Sequence, residues 1–283
     1  NIGVPFCDIL LRDEEYDLAV IELSSFQLES LVTFQANVAI VLNISESHME
    51  RYDSFKDYEK AKLNIATNQQ YGDLFICPGK YLGTETKANK ACVSNIQGQD
   101  FSKTNLIGEH HKENLFCIKK SLEHFQIPNI ERIVNNLITN FAGVKYRLQL
   151  EAKVNGVSFI NDAKSTNIEA TVSAVKSVEE KDLYLIVGGK LRSNEVSFVN
   201  ELKGLDIKEV ICFGEAGPKI SDELKMSFTT KVFDNLDNVF NYIKKEIRIG
   251  TVLFSPAFPS FDLYKNYVQR GEHFKFLVGS LGN

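Results

Sequence analysis

The 283-residue sequence predicts an α/β chain of two domains: a parallel-sheet domain with a small antiparallel excursion, then a second α/β domain, also built on a parallel sheet. Short β-branched apolar runs recur along the chain, helical stretches of ten or more residues separate most of them, and the length suits roughly two domains of ordinary size.

Residues 17–22 (DLAVIE) and 37–43 (NVAIVLN) read as strands buried on both faces, with a helix over 24–34 between them. A helix follows over 54–68, where Ser54 can cap and Phe55, Tyr58, Ala61, Leu63 and Ile65 roughly hold one face. Residues 73–77 are another buried strand. From 79 to 107 the chain turns polar and is punctuated by Gly and Asn, which predicts the antiparallel excursion. Helices resume at 111–124 and 128–140. Phe141-Ala142-Gly143 marks the domain boundary, dividing the chain into 1–143 and 144–283. Beyond it, Asn155-Gly156 joins 146–154 to 157–161 as a hairpin. The rest alternates: helix 166–178, strand 183–187, helix 194–203, strand 208–213, helix 216–225, strand 230–233, helix 236–247, strand 251–255 and helix 261–278, as right-handed crossovers require.

Composition narrows the function. Hydrophobic residues at 43% and charged ones at 24% argue against disordered, collagen-like and coiled-coil chains. A formal charge of −5 without a long single-sign run argues against broad nucleic-acid binding. The five cysteines are scattered and form no CxxC pair, so neither a disulfide framework nor a zinc knuckle is signalled, and a reducing cytoplasm is expected. No apolar run is long enough to predict membrane insertion.

In open α/β sheets, ligands bind beyond the carboxyl ends of the strands. Glu22 ends the first run and leads into Ser24-Ser25-Phe26-Gln27; Asn43 ends the second, with Glu46 and His48 next, and Lys62 follows on a helix. A carboxylate and an imidazole after neighbouring strands could share Mg²⁺ or Mn²⁺. On spacing alone the plainer reading is favoured, with Glu22 a solvated strand-end charge and His48 a packed loop histidine. In the second domain, Asn161 to Asn167 and Ser255 to Ser260 are strand-to-helix turns that place Thr166 and Ser260 near helix starts, where either capping or anion binding fits.

Taken together, these segments resemble a known family. Glu22 to Glu29 (ELSSFQLE), Asn43 to Tyr52 (NISESHMERY) and Ala61-Lys62-Leu63 resemble the central domain of the Mur ligases. Arg147, Ile160 to Asn167 (INDAKSTN), Gly188-Gly189, and Ser255-Pro256-Ala257 leading to Gln269-Arg270-Gly271 resemble their C-terminal domain. The resemblance runs in one order over essentially the whole chain. It implies a P-loop-type central domain, present in part, followed by a Rossmann-like domain.

Within the family the resemblance is strongest to the branch that joins D-glutamate to UDP-N-acetylmuramoyl-L-alanine. It implies ATP-dependent amide ligation through an acyl phosphate, with Mg²⁺ (or Mn²⁺), in a monomer of the cytoplasm that makes peptidoglycan precursors. Carried over residue by residue, His48 and Glu22 would serve the metal, and Lys62 would match a lysine that the family carbamylates. Asn114 would meet adenine, Asp162 the ribose, Arg147 the ribose or phosphate region, and Lys164 would lie near the phosphates. Ser24 and Gln27 would touch the muramoyl-alanine, and Thr166, Arg192, Ser260 and Tyr267 the incoming D-glutamate. Three positions depart from the family pattern: His111 stands where Asn is common, Arg192 where Lys is expected unless Lys190 fills that place, and Tyr267 replaces Phe.

No GxxxxGK[ST] segment occurs in the chain, and it begins at Asn1. The resemblance therefore implies the C-terminal portion of a longer ligase, expected to bind ATP weakly and turn over nothing alone. Three alternatives stay open: another amide ligase of the superfamily, such as a later Mur ligase or folylpolyglutamate synthase; a dinucleotide oxidoreductase, disfavoured by the lack of GxGxxG; and a non-catalytic remnant.

Overall fold

The computed structural model describes residues 6–12, 14–45, 51–102, 104, 106–178, 182–191 and 201–282. It separates into two compact units, residues 1–98 with 112–134, and residues 99–111 with 135–283.

The first unit is built on a three-stranded sheet of β1 (Val38–Ile40), β2 (Leu74–Cys77) and β3 (Asn89–Cys92), in that order. Both pairings are parallel, β1 with β2 and β2 with β3. The expected antiparallel excursion at 79–107 is therefore corrected: its polar run contains a parallel edge strand, returned alongside β2 by the 3₁₀ turn Gly79–Tyr81. The short polar strand looked like a hairpin arm because an edge strand needs little burial.

Residues 17–22 form no strand. Val20 is fully exposed and Leu18 half so, and no described neighbour supplies a ladder. β-branched composition favours extension, but a strand exists only where another strand satisfies its backbone.

The preceding short helix α1 (Phe6–Leu10) and the helices α2 (Ser25–Glu29) and α3 (Phe55–Leu63) complete this part. The helix expected over 24–34 stops at Glu29. Beyond it the chain is held by side-chain amides: Asn68 Nδ2 donates to Val32 O and Phe34 O, both at 3.0 Å, and Gln69 Nε2 to Ala36 O at 2.9 Å. Ser54 caps α3 as expected, accepting from Asp57 N. Ala39, Val41, Tyr58, Ala66, Phe75 and Cys77 make the core. Helices α4 (His110–His124) and α5 (Ile130–Asn140) carry the chain between the units.

The second unit opens with the hairpin of β4 (Gln149–Val154) and β5 (Val157–Asn161). Asn155 and Gly156 both take positive φ, 50° and 86°, as a type I′ turn requires. Then come α6 (Ile168–Ser177), β6 (Leu183–Gly188), β7 (Glu209–Phe213), α7 (Gly217–Leu224), β8 (Thr230–Phe233), α8 (Leu236–Glu246), β9 (Gly250–Ala257) and α9 (Tyr267–Ser280). The expected helix 194–203 lies largely outside the described residues. The sheet order is β4-β5-β9-β6-β7-β8, antiparallel only at the β4–β5 hairpin.

Both sheet faces are buried, as the unbroken apolar runs imply. Ile160, Leu185, Val187, Val210, Cys212 and Leu253 face Val172 and Val175 of α6 and Ile220 and Leu224 of α7. The alternate residues Phe159, Ile186, Ile211, Phe213 and Phe254 face Val239, Phe240 and Ile243 of α8 and Phe274 and Leu277 of α9. Because β9 enters last, between β5 and β6, the turns leaving these three strands are neighbours at one end of the sheet.

Candidate functional site

In the second unit, Asp162 directly follows β5 and is 4% exposed. Its Oδ2 accepts from Ser165 Oγ at 2.6 Å and Ser255 Oγ at 2.7 Å, and its Oδ1 from Leu148 N at 3.2 Å. The carboxylate thus joins the turn after β5 to β9 and to the entry of β4. Burial pushes its pKa up, while hydrogen bonds from Ser165, Ser255 and Leu148, and the nearby Arg147 charge, oppose that. Asn161, fully buried just before it, donates to Glu151 Oε1 at 2.8 Å and Gly271 O at 3.0 Å.

Arg270 of α9 is also fully buried. Its guanidinium donates to Ala163 O at 3.0 Å, Phe258 O at 2.9 Å and, at the limit of a hydrogen bond, Gly188 O at 3.5 Å. One carbonyl lies in the turn after β5, one ends β6 and one follows β9. A single side chain therefore ties three neighbouring strand ends. Burial lowers its pKa to about 10, with Asp262 opposing, so it stays charged near neutral pH. Its Nε has no hydrogen-bond partner among the described residues. The backbone approaches closely here, since a Cβ on Gly189 would lie 2.3 Å from Pro259 O, at a φ of 137°.

Around this frame stand the residues named from the sequence. Lys164 is exposed and its Nζ lies 5.8 Å from the centre of the Tyr267 ring, so these two come together. Tyr267 in turn meets Tyr146 edge-on, and the Tyr146 hydroxyl bonds Glu272. Arg147 is exposed, Thr166 half-buried and Ser260 buried. Thr166 and Ser260 do not cap the helices they precede: Asn167 caps α6 and Asn266 caps α9, which begins at Tyr267 and not at 261. An Asx side chain at the last extended residue reaches the first-turn N–H groups directly, and that position fell to Asn in both turns. Lys190 is exposed with its backbone N donating to Pro259 O at 2.7 Å. Arg192 lies outside the described residues.

In the first unit, Ser24 and Gln27 are brought together as a reciprocal cap on α2. Ser24 N donates to Gln27 Oε1 at 2.9 Å, and Gln27 N to Ser24 Oγ at 3.3 Å. Glu22 is exposed just upstream. Lys62 is half-buried on α3, its Nζ 5.4 Å from the centre of the Tyr58 ring. Asn114 is half-buried on α4. His48 lies outside the described residues, and among the described ones no three His, Cys, Asp or Glu side chains gather as a metal cluster. Glu22 offers a hard oxygen donor of the type Mg²⁺ takes, accessible to solvent. His111 is partly buried against His110, their ring centres 4.1 Å apart; burial, then the neighbouring imidazole, lowers its pKa to about 4.

The residue that sequence reasoning left without a role is Arg270. The signal was available: Phe274 and Leu277, four and seven positions on, share its helix face, so a cation occupies a core position.

Comparison with known proteins agrees with this architecture. Residues 1–142 match the Mur ligase middle domain. The chain is 32% identical, over its whole length, to the UDP-N-acetylmuramoylalanine–D-glutamate ligase of Natranaerobius thermophilus, spanning 67% of that protein. It is 31% identical, over 99% of its length, to the ligase of the same name from Francisella tularensis subsp. novicida, spanning 68% of it. Among solved structures, the UDP-N-acetylmuramate-alanine ligase MurC of Thermotoga maritima matches 91% of the chain at a TM-score of 0.61 and 19% identity, the chain spanning 62% of it. E. coli FolC, solved with DHPP and ADP, matches 87% at 0.60 and 14% identity, the chain again spanning 62%. These structural matches speak for the fold. No described helix is long and apolar enough to cross a membrane.

Proposed function

Because the chain belongs to the Mur ligase family, we propose that it forms the catalytic-side portion of an ATP-dependent ligase that joins D-glutamate to UDP-N-acetylmuramoyl-L-alanine in the cytoplasm, as a monomer. The observation that carries this reading is the resemblance to D-glutamate ligases along the whole chain, through both units. We divide it at 143/144, into a central ATPase-type part and a C-terminal Rossmann-like part.

A carboxylate is a poor electrophile, since its charge repels nucleophiles and oxide leaves badly. Transfer of the γ-phosphoryl group of ATP to it gives an acyl phosphate. The amine of D-glutamate attacks the carbonyl carbon, the amide forms, and phosphate departs. Mg²⁺ (or Mn²⁺), when bound, would neutralise the anions that meet in this transfer.

Glu22 and His48 are the proposed metal ligands, with Lys62 joining them if carbamylated. Ser24 and Gln27, pre-ordered by their mutual cap, would meet the muramoyl-alanine. Asn114 would receive adenine. Asp162 organises the turn after β5, and its Oδ1, with one donor, keeps acceptor capacity for a ribose hydroxyl beside Arg147. Lys164, exposed over Tyr267, suits phosphate. Thr166, Arg192, Ser260 and Tyr267 would surround the dicarboxylate amino acid, for which a guanidinium is an apt partner.

The test is acceptor choice. The native gene product, given ATP, Mg²⁺ and UDP-N-acetylmuramoyl-L-alanine, should release phosphate with D-glutamate and far less with L-glutamate, L-lysine or diaminopimelate. Preference for one of the other amino acids would transfer the chain to another branch of the superfamily.

A further inference from the structure

We propose that His273 is a positioning residue for the acceptor site, holding Ser260 in place through the Tyr264 hydroxyl; this deepens the reading above and rests on it.

The loop between β9 and α9, residues 258–266, carries Ser260 and leads into Tyr267, both assigned to the incoming amino acid. Ser260 is buried, yet it belongs to a turn and not to a helix or strand. Its carbonyl accepts from Tyr264 N at 2.9 Å and Leu263 N at 3.3 Å, so Ser260 and Tyr264 move as one turn. The Tyr264 hydroxyl lies 2.8 Å from His273 Nδ1, with the ring centres 5.8 Å apart. The other ring nitrogen, Nε2, faces Asp237 Oδ2 of α8 at 3.6 Å. That carboxylate favours the proton on Nε2, leaving Nδ1 to accept the tyrosine O–H. Burial, reinforced by Asp237, raises the pKa of the Tyr264 phenol, so the hydroxyl keeps its proton.

A chain of contacts thus runs from α8 through α9 to the loop. Arg270 pins the loop's start through Phe258 O, and Asp262 Oδ2 accepts from Glu215 N at 3.2 Å in its middle. His273 supplies a further hold, near the loop's end. The Tyr264 ring packs against the core on the α9 side of the sheet, and a phenylalanine would fill that space equally. What the tyrosine adds is the bond to the imidazole.

In the native gene product, Tyr264→Phe and His273→Ala should each raise KM for the acceptor amino acid by about threefold to tenfold, as loss of one hydrogen bond implies. KM for ATP should stay within about twofold. The double variant should be no worse than either single one, because both remove one interaction. His273→Asn, whose amide can meet the hydroxyl near the position of Nδ1, should restore most of the loss.

Hydrogen exchange gives a readout independent of the acceptor: the amides of Leu263 and Tyr264 should exchange faster in Tyr264→Phe and His273→Ala than in wild type. Unchanged exchange in both variants, or an unchanged acceptor KM, would overturn the proposal. Should the native protein prefer an amino acid other than D-glutamate, the acceptor assignment fails by itself. KM for that amino acid and the exchange rates then decide the role of His273.

Discussion

Two opposite charges, Asp162 and Arg270, are buried in the second unit, and each is served by neutral groups and not by the other. Asp162 collects two hydroxyls and an amide, and Arg270 collects carbonyls. Taking an ion out of water costs several kcal/mol unless its hydrogen bonds are replaced. This expense is concentrated where three strand ends must be held together. Replacing Arg270 by Ala leaves those carbonyls without a donor and opens a cavity, and should cost about 3–5 kcal/mol in urea denaturation.

His111 gives a prediction in pH. Its pKa in the fold, about 4, is below the ordinary 6.5, so the unfolded chain takes up a proton that the folded chain refuses. Its contribution is therefore complete above pH 6.5 and is lost as pH falls toward 4. At roughly 1.4 kcal/mol per unit this amounts to at most about 3 kcal/mol, reduced by the solvent the ring still meets. Across that window wild type should lose stability faster than His111→Gln, and parallel pH profiles would refute the assignment.

At the level of elements, α9 shows how packing and site are joined. A Cβ on Gly271 would fall 2.4 Å from Cδ1 of Tyr146, so the helix seats against that ring only with glycine there, while a Cβ on Gly279 of the same helix meets nothing within 4 Å. Gly271→Ala should destabilise by about 1–3 kcal/mol. Gly279→Ala should be neutral or stabilising by up to about 1 kcal/mol. Thermal melts of the two variants test this, and equal melting temperatures would contradict it.

The alternation of strand and helix in this half was legible because β6, β7 and β9 are apolar on both faces, and a hairpin at Asn155-Gly156 follows from the turn residues alone. Two elements of the other half were not. Residues 17–22 have strand composition without a strand partner among the described residues, and β3 is polar because it lies at an edge, where pairing direction leaves no mark in the side chains.

For the whole molecule, the candidate site was legible where motifs follow strand ends: Asp162 and Lys164 lie in the turn after β5, and Lys164 stands over Tyr267 at the start of α9. Arg270 was legible only through its neighbours: a lone cation reads as a surface residue unless Phe274 and Leu277, on the same helix face, are weighed with it. The relatives that match along this whole chain, over 67% and 68% of their own length, make D-glutamate ligation the expectation.

Its chemical core is the transfer of a phosphoryl group to a carboxylate, and isotope transfer reports that step directly. When the native gene product acts on UDP-N-acetylmuramoyl-L-alanine labelled with ¹⁸O in its carboxylate, together with ATP, Mg²⁺ and D-glutamate, one ¹⁸O per turnover should appear in the released phosphate. Amide formation with unlabelled phosphate would contradict the account.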